Sequence, residues 1–188
     1  GTQTIYEFLK HKIKKKFLFI NNLQNIEKKH RKNKYLNLVV SKSGNTTETI
    51  VNSGYFKNYF KKNNLIIISE KKDNTLYNLA KKKDFFFIKH NPNIGGRYSV
   101  FSEVGMVPAY LMGLSPLKIK KKLFNFFKNK KNLIISKKYT KKIYQKKIKA
   151  LVFLNYVPQL NDFLFWCQQL LAESLGKNKK GFIPDISN

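Results

Sequence analysis

Residues 35–47 read Tyr-Leu-Asn-Leu-Val-Val-Ser-Lys-Ser-Gly-Asn-Thr-Thr. The first six, Tyr35 to Val40, predict a buried strand, and Ser41 to Thr47 form a loop of hydroxyls around one glycine. Glu48 to Lys62 then carries Ile50, Val51, Tyr55 and Tyr59 at helical spacing. Strand, short loop and helix in that order form half of a βαβ unit, and the pattern repeats on either side. Downstream, Leu65 to Ile68 predicts a strand, Thr75 to Lys83 a helix capped near Asn74, and Asp84 to Lys89 a further strand. Upstream, Thr2 to Lys14 predicts a helix, Phe17 to Ile20 a strand, and Leu23 to Lys32 a weak polar helix. Strands joined by helices imply an α/β fold with a mostly parallel sheet and helices on both faces.

Beyond Pro92 the pattern changes. Asn91 to Arg97 is a turn-rich loop, and Phe101 to Leu114 is apolar and helical. Ser115-Pro116 supplies a cap and a first-turn proline for another helix. Lys118 to Lys149 is expected to be helical, with Ile119, Leu123, Phe126, Phe127, Leu133 and Ile134 on a buried face. Ala150 to Leu154 predicts a strand, Leu160 to Leu175 a final helix stopped by Gly176, and the remainder to Asn188 a loop.

The 188 residues carry a formal charge of +28, which nominally points to a polyanion partner. Arg31 and Arg97 are the only arginines among the 38 basic residues. Readers of nucleic acid recruit arginine for its bidentate fork, and here the lysines fall on nearly every predicted helix rather than on one face. Together with 21 Asn and four Ala, the lysine excess reads as AT-rich codon usage, so no specific nucleic-acid partner is expected. No apolar run reaches the length of a membrane span. The single cysteine, Cys167, excludes an intrachain disulfide framework and any Cys-rich zinc site. These features point to a cytoplasmic protein without a membrane partner.

Three places carry candidate chemistry. In Ser41-Lys-Ser-Gly-Asn-Thr-Thr47, hydroxyls and backbone N–H groups gather at a helix N-terminus, where the first four N–H groups lack helical partners. That arrangement fits a monophosphate or, equally, a plain helix cap; a single glycine does not make a nucleotide loop. In Gly95-Gly96-Arg97 the glycines permit close approach of a ligand, and arginine offers a planar, always-charged donor; bracing a loop carboxylate is the alternative. Gln169 and Glu173 share one face of the last helix, four residues apart. A carboxylate near a helix C-terminus opposes the dipole, a weak sign of function against the ordinary surface role. His11, His30 and His90 show no metal-ligand spacing, and His90 borders the glycine loop, where a minor role is open.

In that order, VVSKSGNTTETI (39–50), NPNIGGRYSVFSEVGMVPAYLMGL (91–114) and FWCQQLLAESLGK (165–177) resemble the phosphoglucose isomerase family across essentially the whole chain. The resemblance implies a three-layer αβα sugar-isomerase (SIS) fold. It places the first SIS domain at 1–114, connecting helices at 115–149 and the opening of a second SIS domain at 150–188. It further implies interconversion of D-glucose 6-phosphate and D-fructose 6-phosphate through a cis-enediolate, without metal or cofactor, by an enzyme that is a homodimer when complete. Ser41, Lys42, Ser43 and Thr46 match the phosphate-binding positions, Gly96 and Gln169 substrate-binding ones, and Arg97 the arginine beside the reacting carbons. Glu173 matches the proton-transfer carboxylate, whose pKa partial burial would raise. The family's glycine-rich loop, ring-opening histidine and C-terminal lysine have no counterpart here. The resemblance therefore implies a central portion of the enzyme, inactive by itself. A non-catalytic SIS sugar-phosphate sensor is the alternative; it would use the 41–47 loop without Glu173.

Overall fold

The computed structural model describes residues 1–21, 35–145, 148–176 and 181–187, with the backbone alone at Tyr144. Two compact units divide the chain: 16–104, and 1–15 together with 105–188.

The first unit is a parallel sheet of β1 (Asn37–Val40), β2 (Leu65–Glu70) and β3 (Phe86–His90) in the order β1-β2-β3. The register sets Val39 against Ile67 and Ile67 against Phe87. Helix α2 (Thr47–Phe56) connects β1 to β2, and α3 (Thr75–Lys83) connects β2 to β3. Parallel neighbours need such crossovers because a tight hairpin cannot join them. Strand side chains alternate, so Val39, Leu65, Ile67 and Phe87 share one face. They pack there with Ile50 of α2 and with Leu76, Leu79 and Ala80 of α3. Leu65 and Ile67 are fully enclosed.

Asn74 starts α3 as expected: its Oδ1 accepts from the Tyr77 N–H (2.9 Å), and its Nδ2 donates to the carbonyls of Glu70 and Lys72. Such a cap contributes about 1 kcal/mol. At the other end Asp84 adopts the left-handed conformation (φ 52°), while the Phe85 N–H closes on the Ala80 carbonyl.

In the second unit, α1 (Thr2–Leu9) meets α7 (Asn161–Leu175), where Gln3 Nε2 and Thr4 Oγ1 donate to the Asp162 carboxylate and carbonyl, each at 3.2 Å. The rings of Phe8 and Phe163 lie 5.5 Å apart. β4 (Ala150–Leu154) pairs in parallel with β5 (Ile183–Ser187), and α7 is their crossover. Gln168 Nε2 fastens the helix to the Pro184 carbonyl at 3.0 Å. The unit boundary falls within α4 (Glu103–Leu111). α5 (Pro116–Lys128) begins with Ser115 Oγ accepting from the Lys118 N–H, and α6 (Lys130–Gln145) follows after Asn129.

The alternation of helices and parallel strands is the expected α/β architecture, consistent with a three-layer αβα SIS fold. Several elements differ from the sequence expectation. Phe17 to Ile20 forms no strand; among the described residues it has no ladder partner, and an extended apolar run without one is only a loop. The helix expected over 48–62 ends at Phe56, followed by a 3₁₀ turn over Lys57–Tyr59. Lys118 to Lys149 is broken at Asn129, and its supposed buried face is not buried. Phe126, Phe127, Leu133 and Ile134 are exposed, while Ile119 and Leu123 are half-buried. The expected terminal loop contains β5, which reads weakly because Pro184 and Asp185 interrupt its apolar alternation. The helix expected at Leu23 to Lys32 lies outside the described residues.

Candidate active site

The carboxyl-terminal ends of parallel strands are where α/β sheets present ligands, and the loop leaving β1 lies at that edge. Backbone pairing continues past the strand, with Ser41 N–H to the Ile68 carbonyl (3.1 Å) and Glu70 N–H to the Lys42 carbonyl (3.0 Å). The loop then closes on itself. The Gly44 N–H donates to Ser41 Oγ (3.2 Å), and the Asn45 N–H to Ser43 Oγ (3.2 Å). The Thr46 hydroxyl bonds Ser41 Oγ at 2.7 Å instead of capping α2, which begins without a side-chain cap. The first-turn N–H groups of α2 therefore face outward beside the exposed hydroxyls of Ser43 and Thr46, an arrangement suited to an anion.

This loop is fastened to the start of α3. Asn45 Oδ1 accepts from the Thr75 N–H (2.9 Å), and the Gly44 carbonyl accepts from the Leu76 N–H (3.2 Å). Gly44 has φ +72°, and a Cβ there would sit 1.9 Å from Asn74 Oδ1. Its glycine is thus required twice, by conformation and by space.

Lys42 Nζ lies 3.7 Å from Glu70 Oε1, and Lys72 binds the same carboxylate. The hydrogen bond from Lys72, opposed by burial and aided by the charges of Lys72, Lys42 and His90, holds the Glu70 carboxyl below the ordinary glutamate range.

Gly95 and Gly96 open a 3₁₀ segment, Gly96–Phe101, that carries Arg97. The Arg97 guanidinium stacks 4.8 Å from the Tyr98 ring centroid. A Cβ at Gly96 would meet nothing within 4 Å, so no packing within the chain demands glycine there. His90, at the end of β3, is wholly buried, with one ring nitrogen on the Glu103 carboxylate and the other 3.2 Å from the Ile94 carbonyl. It belongs to the interior and does not line an open site.

Gln169 and Glu173 are brought together on α7, Gln169 Nε2 donating to Glu173 Oε1 at 2.8 Å. Both are exposed, so the partial burial expected for Glu173 is absent. The cradle and Arg97 belong to unit 16–104, and the Gln169–Glu173 pair to the other unit. Among the described residues no cluster of His, Cys, Asp and Glu could hold a metal ion, and no helix is long and apolar enough to cross a membrane.

The family model described as phosphoglucose isomerase matches residues 1–183. The chain belongs to the phosphoglucose isomerase family. The glucose-6-phosphate isomerase of Methanocaldococcus jannaschii is 34% identical over 174 residues, covering 86% of this chain and 43% of the relative. That of Acholeplasma laidlawii is 30% identical over 207 residues, covering 97% and 49%. The chain thus spans less than half the length of these curated relatives. A solved structure of a hypothetical protein from Thermus thermophilus shares the fold, with a TM-score of 0.67 at 24% identity, covering 81% of this chain and 41% of that one.

Within this phosphoglucose isomerase frame, Glu70, Asn74 and Glu103 support the loops that carry the candidate residues; sequence reading named Asn74 only as a helix cap and passed over the two glutamates. A faint signal existed. With ten acids in the chain, one placed at the end of a buried apolar strand, as Glu70 is, stands out.

Proposed function

We propose that this chain carries the substrate-phosphate site and the proton-transfer carboxylate of an aldose–ketose isomerase acting on D-glucose 6-phosphate and D-fructose 6-phosphate. The observation that carries the reading is the loop from Ser41 to Thr46. Its hydroxyls gather at the uncapped start of α2, on a loop braced by α3.

In this reading Ser41, Ser43, Thr46 and the α2 N–H groups hold the 6-phosphate, with Lys42 adding charge. The phosphate is remote from the reacting carbons, so its binding energy orients the sugar for the chemical step. Gly96, with open space beside it, admits the sugar close to the main chain. Arg97 stabilises negative charge on the enediolate oxygens, and it cannot compete as a base because it does not deprotonate. Glu173 takes the proton from C2 of the aldose, or C1 of the ketose, and returns it to the neighbouring carbon. Gln169 orients that carboxylate and contacts substrate. The same reading divides the chain into a first SIS domain (1–114), connecting helices (115–149) and part of a second (150–188). It places the enzyme in glycolysis and gluconeogenesis in the cytoplasm, as a homodimer.

Titration of the 188-residue chain with fructose 6-phosphate tests the cradle. Saturable binding, weakened at least tenfold by Ser43→Ala with Thr46→Ala, is expected. Equal affinity in chain and variant would refute the phosphate assignment.

A further inference from the structure

His90 ends β3 directly opposite Glu70 in the β2–β3 register and is fully buried. Its Nδ1 meets the Glu103 carboxylate, and its Nε2 lies 3.2 Å from the Ile94 carbonyl. A carbonyl only accepts, and Glu103 is ionised. Burial works against that charge, but bonds from its own N–H, from His90 and from the Asn91 N–H hold the carboxyl below the ordinary range. The two ring nitrogens thus face two acceptors, the Glu103 carboxylate and the Ile94 carbonyl. The ring's two bonds reach Ile94, three residues before Arg97, and Glu103, six residues after it. One ring thus closes both ends of the segment that presents the arginine. Glu70, on the other side, is paired with Lys42 of the cradle.

We propose that His90 is a positioning residue: its ring, bonded to Ile94 and Glu103 and set opposite Glu70, fixes the Arg97 segment and ties it to the Ser41–Thr46 loop. The functional meaning rests on the assignment of Arg97 to the reacting carbons; the strut itself does not.

The test therefore contains no sugar phosphate. The readout is the guanidinium region of the spectrum of the ¹⁵N-labelled 188-residue chain at pH 7. Two arginines give two guanidinium Nε–H signals. His90→Gln should move or broaden the Arg97 signal while leaving that of Arg31 in place, and should speed amide hydrogen exchange of 95–99 at least tenfold. Glu103→Gln keeps an acceptor for the Asn91 N–H but weakens the bond to the His90 ring. It should produce a smaller change of the same kind and carries the test if His90→Gln does not fold. An unmoved Arg97 signal in the folded variants would overturn the strut and leave the isomerase reading intact. Loss of sugar-phosphate binding in the cradle variants has no bearing on either spectrum.

Discussion

Gly44 and Asn45 are each held to the start of α3 by a hydrogen bond, and Ser41 is bonded to both the β2 backbone and Thr46. Gln169 and Glu173, by contrast, lie on an exposed stretch of α7, joined to each other by one 2.8 Å bond. An anion site made from backbone N–H groups and short hydroxyls can be completed by local folding, because its donors are fixed once strand and helix are fixed. A proton-transfer carboxylate is different. Its basicity depends on what surrounds it, and a helix surface supplies only its direction. The loop proposed for recognition is thus preorganised in this chain to a degree that the carboxylate proposed for proton transfer is not.

The comparison breaks most visibly at Glu173. In a preparation that turns over fructose 6-phosphate, Glu173→Gln should lower kcat by about 10²–10⁴-fold, with KM within a few-fold. A variant retaining above about half the parent kcat would remove Glu173 from the reaction. Gly44→Ala probes the other side through stability. The displaced Asn74 cap and the left-handed conformation together should cost roughly 2–4 kcal/mol, read as a lower urea midpoint. An unchanged midpoint would mean that the loop is not fastened as described. Gly96→Ala sharpens the contrast. With open space at its Cβ, it should leave the midpoint within about 0.5 kcal/mol while weakening sugar-phosphate binding. Parent affinity in that variant would remove Gly96 from the binding surface.

The smallest effect concerns acid. Glu70 and Glu103 have folded pKa values below the ordinary one, so the stability they contribute is present above about pH 4.3. It is lost as pH falls through the lower folded values, where both states become protonated. Urea midpoints measured from pH 6 downward should therefore fall more steeply in the parent than in Glu103→Gln. Parallel curves would mean that the lowered Glu103 carboxyl adds nothing to stability.

Much of this was legible in residue order. The apolar run before Ser41, the hydroxyl loop and the helical spacing after it are local features. β1, α2, β2 and α3 followed from them because periodicity and caps act within a few residues. Phe17 to Ile20 shows the limit of that reasoning: an apolar run states a capacity for a strand, while a strand needs a neighbour. The exposed face of Phe126, Phe127 and Ile134 makes the same point for helices. The candidate residues Ser41, Ser43, Thr46, Arg97, Gln169 and Glu173 stood out through spacing and through resemblance. Their supports did not. The pairing of His90 with Glu103, and of Gly44 with Asn74, spans 13 and 30 residues, and arises only after the strands have been laid side by side.

The bonds from Gln3 and Thr4 to Asp162 join residues 159 and 158 positions apart. During synthesis α1 emerges long before its partner helix exists. At roughly 5–20 residues per second, it waits on the order of ten to thirty seconds for Asp162. The sheet of β1, β2 and β3 lies between them in the chain and needs neither, so it can form in that interval. Nascent chains arrested before Asn161 should therefore show a protease-resistant 35–104 region and a cleavable α1. A helix made before the sheet would find its place after it.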